Sequence, residues 1–129
     1  MDKTQEDFNL WLDKILEEKP FSKETMAINF NLYDMKKSFD VQIIGSSMYD
    51  EYDSDWACEE TFSSEENCFI LKKSKEMGDR ELAIEYVTEL IANYLETENG
   101  KYLKEYVAVC VGFVDGEIEC VWSSEDEED

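Results

Sequence analysis

Between Lys37 and Lys72 the chain runs for 34 residues without a lysine or arginine. The same stretch carries nine carboxylates: Asp40, Asp50, Glu51, Asp53, Asp55, Glu59, Glu60, Glu65 and Glu66. The imbalance extends over the whole chain, where 33 Asp and Glu face 12 Lys and Arg, a formal net charge of −21 over 129 residues. Setting aside the acidic terminus Glu125 to Asp129 still leaves −16, so the acid is not a tail property. A folded body with this much charge of one sign repels itself and loses stability. The reading that accounts for such a cost is attraction to a strongly positive partner; the alternative is that the acid serves solubility alone.

The length suits one domain, large enough to bury about two-thirds of the unfolded chain's surface. Acidic disordered chains lack aromatics, and this one has 13% aromatic and 43% apolar residues, so the body should fold. No apolar run approaches the ~18 residues of a membrane span. The polar start, Met1 to Asp7, has no signal-peptide core, which predicts a cytoplasmic protein. Nucleic acid and anionic membranes should be repelled.

Apolar spacing lays out the elements. Phe8, Trp11, Leu12, Ile15 and Leu16 form one stripe of a helix capped near Thr4 and stopped by Pro20. Met26, Ile28, Phe30 and Leu32 alternate with Ala27, Asn29, Asn31 and Tyr33 as a strand, and Phe39, Val41 and Ile43 return as its hairpin partner. Ser46 to Asn67 is too long for a simple connection and suggests a functional segment. Trp56 and Phe62 should pin it from inside, with short strands near Trp56 to Thr61 and Cys68 to Leu71. A second helix, capped by Asp79, carries Leu82, Ala83, Tyr86, Val87, Leu90, Ile91, Tyr94 and Leu95. Asn99-Gly100 reads as its left-handed stop. Val107, Val109, Val111 and Phe113 then line a strand, and Asp115-Gly116 is a type I′ hairpin signal. The last strand presents Ile118, Cys120 and Trp122. That turn pairs Val111 with Cys120 and Cys110 with Val121, which puts Cys110 and Cys120 on opposite faces and unable to bond.

The expected fold is α+β: an antiparallel sheet of about four to six strands built from two hairpins, with two amphipathic helices mainly on one face. Residues 1–122 should form the domain and 123–129 a disordered acidic tail.

Histidine is absent, which excludes histidine catalysis, and none of the cysteines Cys58, Cys68, Cys110 and Cys120 forms a Cys-x-x-Cys pair, so neither a zinc site nor another metal or cofactor is expected. Asp50, Asp53 and Asp55 suggest a calcium loop only superficially, because Trp56 follows Asp55 and the required glycine is missing. No glycine-rich phosphate loop is present, and no enzyme is expected. What remains is an acidic surface with embedded aromatics, whose complement is a Lys/Arg-rich protein surface. The candidate partner-binding residues are Tyr49, Asp50, Glu51, Tyr52, Asp53, Asp55, Glu59 and Glu60.

Three stretches also carry a resemblance: Ile28 to Tyr33, the acidic Tyr49 to Phe62 segment with Asp55-Trp56-Ala57-Cys58, and Val111 to Gly116. In these the chain resembles small acidic immunity proteins of bacterial polymorphic or contact-dependent toxin systems. The resemblance implies tight, non-catalytic neutralisation of a cognate basic toxin domain, a nuclease among the candidates, by covering its active site or an adjacent exosite. It transfers no binding residue. Two alternatives stand beside it: a phage-type inhibitor that mimics DNA to block a host nuclease or restriction enzyme, and a generic acidic interaction module. The oligomeric state is not legible.

The charge itself yields a test. Screening acts within a ~10 Å Debye length at 0.1 M salt, and repulsion should outweigh the pairs that 12 bases can make. Moderate sodium chloride is therefore expected to raise the melting temperature of the isolated protein. A fall over the same range would mean that the carboxylates are arranged in a net stabilising pattern.

Overall fold

The computed structural model describes residues 3–50 and 54–124. In chain order the elements are α1 (Lys3–Glu17), β1 (Ala27–Asp34), β2 (Ser38–Ser46), β3 (Glu60–Ser63), β4 (Phe69–Lys72), α2 (Arg80–Leu95), β5 (Ala108–Phe113) and β6 (Ile118–Ser123). Short 3-10 helices occupy Ser54–Cys58 and Asn99–Glu105. The α+β class is as expected. Among the described residues no helix is long and apolar enough to cross a membrane.

The six strands form one sheet in the order β3-β2-β1-β5-β6, with β4 also paired to β2. The sheet is mixed rather than antiparallel throughout. Both hairpins form, but β1 lies parallel to β5, with Phe30 opposite Val111 and Leu32 opposite Phe113. Two hairpins that meet through their first strands can join only in one of these two senses, and the long path through α2 brings β5 back in the direction of β1.

Both helices cover the same face. Phe8, Leu12, Ile15 and Leu16 of α1 and Ala83, Val87, Leu90, Ile91, Tyr94 and Leu95 of α2 share one core with Phe30, Val41, Ile43, Val109 and Val111. Asp79 caps α2 by accepting a hydrogen bond from the Glu81 amide at 2.8 Å. Asp13 of α1 ties the helices together, accepting from the Tyr94 hydroxyl at 2.7 Å and the Asn99 amide at 2.9 Å. Leu82, placed on the apolar face by periodicity, is 44% exposed, because the buried stripe is centred on Ala83 and Val87.

Two turn readings are corrected. Gly100 is not a left-handed helix stop: no described glycine has positive φ, and α2 already ends at Leu95. Glycine is needed there because a Cβ would stand 1.9 Å from the Tyr94 carbonyl oxygen. Nor is Asp115-Gly116 the centre of a type I′ turn. The Gly116 amide donates to the Phe113 carbonyl at 2.9 Å, so Val114 and Asp115 are the central residues and neither has positive φ.

The register of the last hairpin changes accordingly. Gly112 faces Ile118, Val111 faces Glu119 and Cys110 faces Cys120; beyond a bulge, Val109 faces Trp122 and Ala108 faces Ser123. Val121 is the extra residue. The bulge breaks the alternation of β6, so Val121 and Trp122 both pack on the helix-side core while Ile118 joins the opposite face. Cys110 and Cys120 are thus cross-strand partners, and their expected separation onto opposite faces is overturned. Strand β6 runs through Ser123, which is buried, one residue into the segment expected to be disordered; 125–129 lie outside the described residues.

One cationic knot joins the two hairpin turns. Arg80 donates to Asp34 at 2.9 Å and to Asp115 at 3.1 Å, Lys73 donates to Asp34 at 2.6 Å, and the two cations lie over the Phe113 and Phe39 rings. Hydrogen bonds from Lys73 and Arg80 hold the Asp34 carboxyl below its ordinary range, and Arg80 does the same for Asp115. A depressed carboxyl stabilises the fold above its unfolded pKa and loses that contribution as pH falls through the folded value. The melting-temperature gap between wild type and Asp34→Asn should therefore be full at pH 5–7 and close as pH drops below about 4. A gap that persists unchanged to pH 2 would contradict this account.

Candidate partner-binding surface

The sheet face away from the helices is covered by the acidic segment. Its anchor is Trp56, 4% exposed, seated on Ala27, Ala108 and Cys110. Alanine at 27 and 108 leaves the depth an indole needs. Two hydrogen bonds to backbone carbonyls fasten the segment: the Ser46 side-chain hydroxyl donates to the Trp56 carbonyl at 2.6 Å, and the Ser47 amide donates to the Glu59 carbonyl at 3.0 Å. Tyr49 meets Trp56 edge to face at 5.2 Å. Phe62 pins the other end from the helix side, edge to face with Phe21 at 5.4 Å. Both aromatics expected to point inward therefore do so, on opposite faces of the sheet. The strand expected from Trp56 begins later, at Glu60, because Ser54–Cys58 turns as a 3-10 helix.

Of the candidate residues, Asp50, Glu59 and Glu60 are exposed, while Tyr49 is half-buried and committed in part to packing. Glu51, Tyr52 and Asp53 lie outside the described residues, as does the side chain of Asp55.

Beside the anchored segment runs a polar row on β1 and β2. The Asn29 amide donates to Asn31 at 2.6 Å, Asn31 to Gln42 at 3.0 Å, and the Tyr33 hydroxyl to Gln42 at 3.1 Å. Gln42 itself donates to the Glu65 carbonyl at 3.1 Å. Burial, reinforced by Cys68 and Glu60, raises the Tyr33 pKa, which keeps its hydroxyl a donor. Asn31 and Tyr33 line a cleft of about 260 Å³ between Ala57, Cys58 and Glu60 on one side and Val114, Gly116 and Ile118 on the other.

A second cleft, about 420 Å³, lies on the helix side of the same hairpin. Ile84 and Phe113 supply its apolar surface; Arg80, Glu81 and Glu85 of α2 and Glu117 and Glu119 at β6 surround it. The two clefts share Phe113 and Gly116, so the β5–β6 turn divides them. Glu60 and the four glutamates of the second cleft thus flank one edge of the molecule. Sequence reasoning passed over those four, although part of the signal was present: Glu81 and Glu85 stand four apart on a helix and so share a face, while Glu117 immediately precedes β6 and Glu119 lies on it.

Compared with protein-family models, with curated proteins and with solved structures, the chain finds no match.

Trp56 is the residue on which this surface hangs. Replacement by alanine should cost roughly 3–5 kcal/mol, as for a fully buried large aromatic. Trp122 is only half-buried, with the Lys104 ammonium 6.0 Å from its ring, and its alanine variant should lose less. Equal losses in chemical denaturation, or near-wild-type stability for Trp56→Ala, would contradict the anchoring role.

Proposed function

We propose that this protein is a non-catalytic immunity protein that neutralises a cognate basic toxin domain in the cytoplasm of the cell that makes both, by covering the toxin's active site or an adjacent exosite. The observation that carries the reading is the acidic edge at the β5–β6 turn, where Glu60, Glu81, Glu85, Glu117 and Glu119 line two adjoining clefts and the lining Arg80 is already paired with Asp34 and Asp115. Carboxylates of one sign speed encounter and orient a basic partner, while apolar anchors supply most of the holding energy. The helix-side cleft offers both to a single Lys or Arg side chain. The methylenes would lie on Ile84, beside the Phe113 ring that Arg80 already covers, and the charged head among Glu81, Glu85, Glu117 and Glu119. The anchored acidic segment, with Asp50, Glu59 and Glu60, extends the same field onto the opposite face. Nucleic acid and anionic membranes are disfavoured as partners by the net charge of −21.

Genetic context and rescue test the reading together. The gene should lie beside that of a large secreted toxin, and co-expression should restore growth to cells expressing the toxin's C-terminal domain. With that domain purified, the pair Glu85→Lys and Glu119→Lys should slow association at least tenfold at low salt, with a smaller loss at high salt. Failure of rescue would refute the function. Rescue with unchanged association kinetics would move the binding surface elsewhere.

A further inference from the structure

The corrected register of the last hairpin places two thiols opposite each other. We infer that Cys110 and Cys120 form a reversible cross-strand disulfide when the protein meets hydrogen peroxide.

Directly opposed residues of an antiparallel pair have Cα atoms about 4.5–5.5 Å apart, inside the 4.4–6.8 Å window of a disulfide. Cys110 and Cys120 are such a pair, and both are in the reduced, thiol form. They sit on the same face: Cys110 lies under Trp56, and Ile118, two residues before Cys120, packs against the same cluster. The flanking bulge and the edge position of β6 allow the small approach that bonding requires, because among the described residues β6 has a strand neighbour on one side only. Burial, with the Cys120 thiol beside it, pushes the Cys110 pKa up, so Cys110 is the protected partner.

The exposed Cys120 is the one an oxidant reaches first. Its thiol currently donates to the Trp122 carbonyl at 3.2 Å, a contact that the new bond would release. The Cys120 thiolate attacks one peroxide oxygen, the O–O bond breaks, and sulfenic acid and hydroxide result. The Cys110 sulfur then attacks the sulfenic sulfur; the S–O bond breaks, the thiol proton goes to the leaving hydroxide, and the S–S bond forms. Two thiols and one peroxide give one disulfide and two waters, with the sulfurs oxidised and the peroxide reduced. A neutral peroxide suits this surface, since −21 repels anionic disulfides such as oxidised glutathione.

The test treats the full chain with hydrogen peroxide, followed by peptide mapping under non-reducing conditions. The expected product is one intramolecular link joining the Cys110 and Cys120 peptides, with the mass of two hydrogens lost and restored by dithiothreitol. It should survive in Cys58→Ser and Cys68→Ser and vanish in Cys120→Ser, whose mutated position is exposed and should not disturb folding. A link from Cys120 to Cys58, or overoxidation of Cys120 with Cys110 still a free thiol, would overturn the assignment.

Discussion

A sheet has two faces, and the two α-helices among the described residues both pack on one of them. The other face must be covered by something else, and Trp56 covers its centre. The seat is built from the centre of the sheet: Ala27 stands opposite Ala108 across the parallel β1–β5 pair, with Cys110 two residues further along β5. Small side chains here leave room for an indole, and the indole in turn holds an acidic segment against a body of the same sign of charge. Aromatic burial, which salt and pH barely touch, thus fixes a feature that electrostatics opposes.

The scarce cations are used where they join distant parts of the chain. Arg80, at the start of α2, reaches the turns of both hairpins through Asp34 and Asp115, and Lys73 adds a second contact to Asp34. Each is a partly exposed pair of modest individual worth, but together they tie three elements at one end of the sheet. In the cleft lined by the glutamates of α2 and β6, Arg80 is the one base among the described residues, and its guanidinium is engaged by the two aspartates. The negative potential is therefore neutralised beside the turns and left standing in the cleft next to them, the arrangement a basic ligand would use.

Much of this was legible in the sequence. The stripes Phe8-Leu12-Ile15 and Ala83-Val87-Leu90 gave both helices, alternation gave both hairpins, and Trp56 and Phe62 were readable as anchors because a long polar segment with isolated aromatics needs them. What escaped were features set by single insertions or distant pairings. Val121 enters one strand as a bulge and moves every later residue of β6 relative to β5, and a period-2 pattern gives no warning of one extra residue. The parallel β1–β5 pairing depends on the path of some seventy intervening residues rather than on either strand's composition. The same holds for the candidate surface. Glu60 and Asp50 stood out in the base-free stretch, whereas Glu85 and Glu119 become neighbours only once α2 is packed beside β6.

The central claim is that Trp56 holds the acidic segment on the sheet. It is tested most directly by amide hydrogen exchange in wild type and Trp56→Ala, at a temperature where the variant keeps its helical circular dichroism. The account predicts that the Ser47 and Glu59 amides, bonded to the Glu59 and Trp56 carbonyls, lose protection in the variant while the central β1 amides keep theirs. Unchanged protection at Ser47 and Glu59 would contradict it, because the segment would then be held by its backbone bonds without the indole.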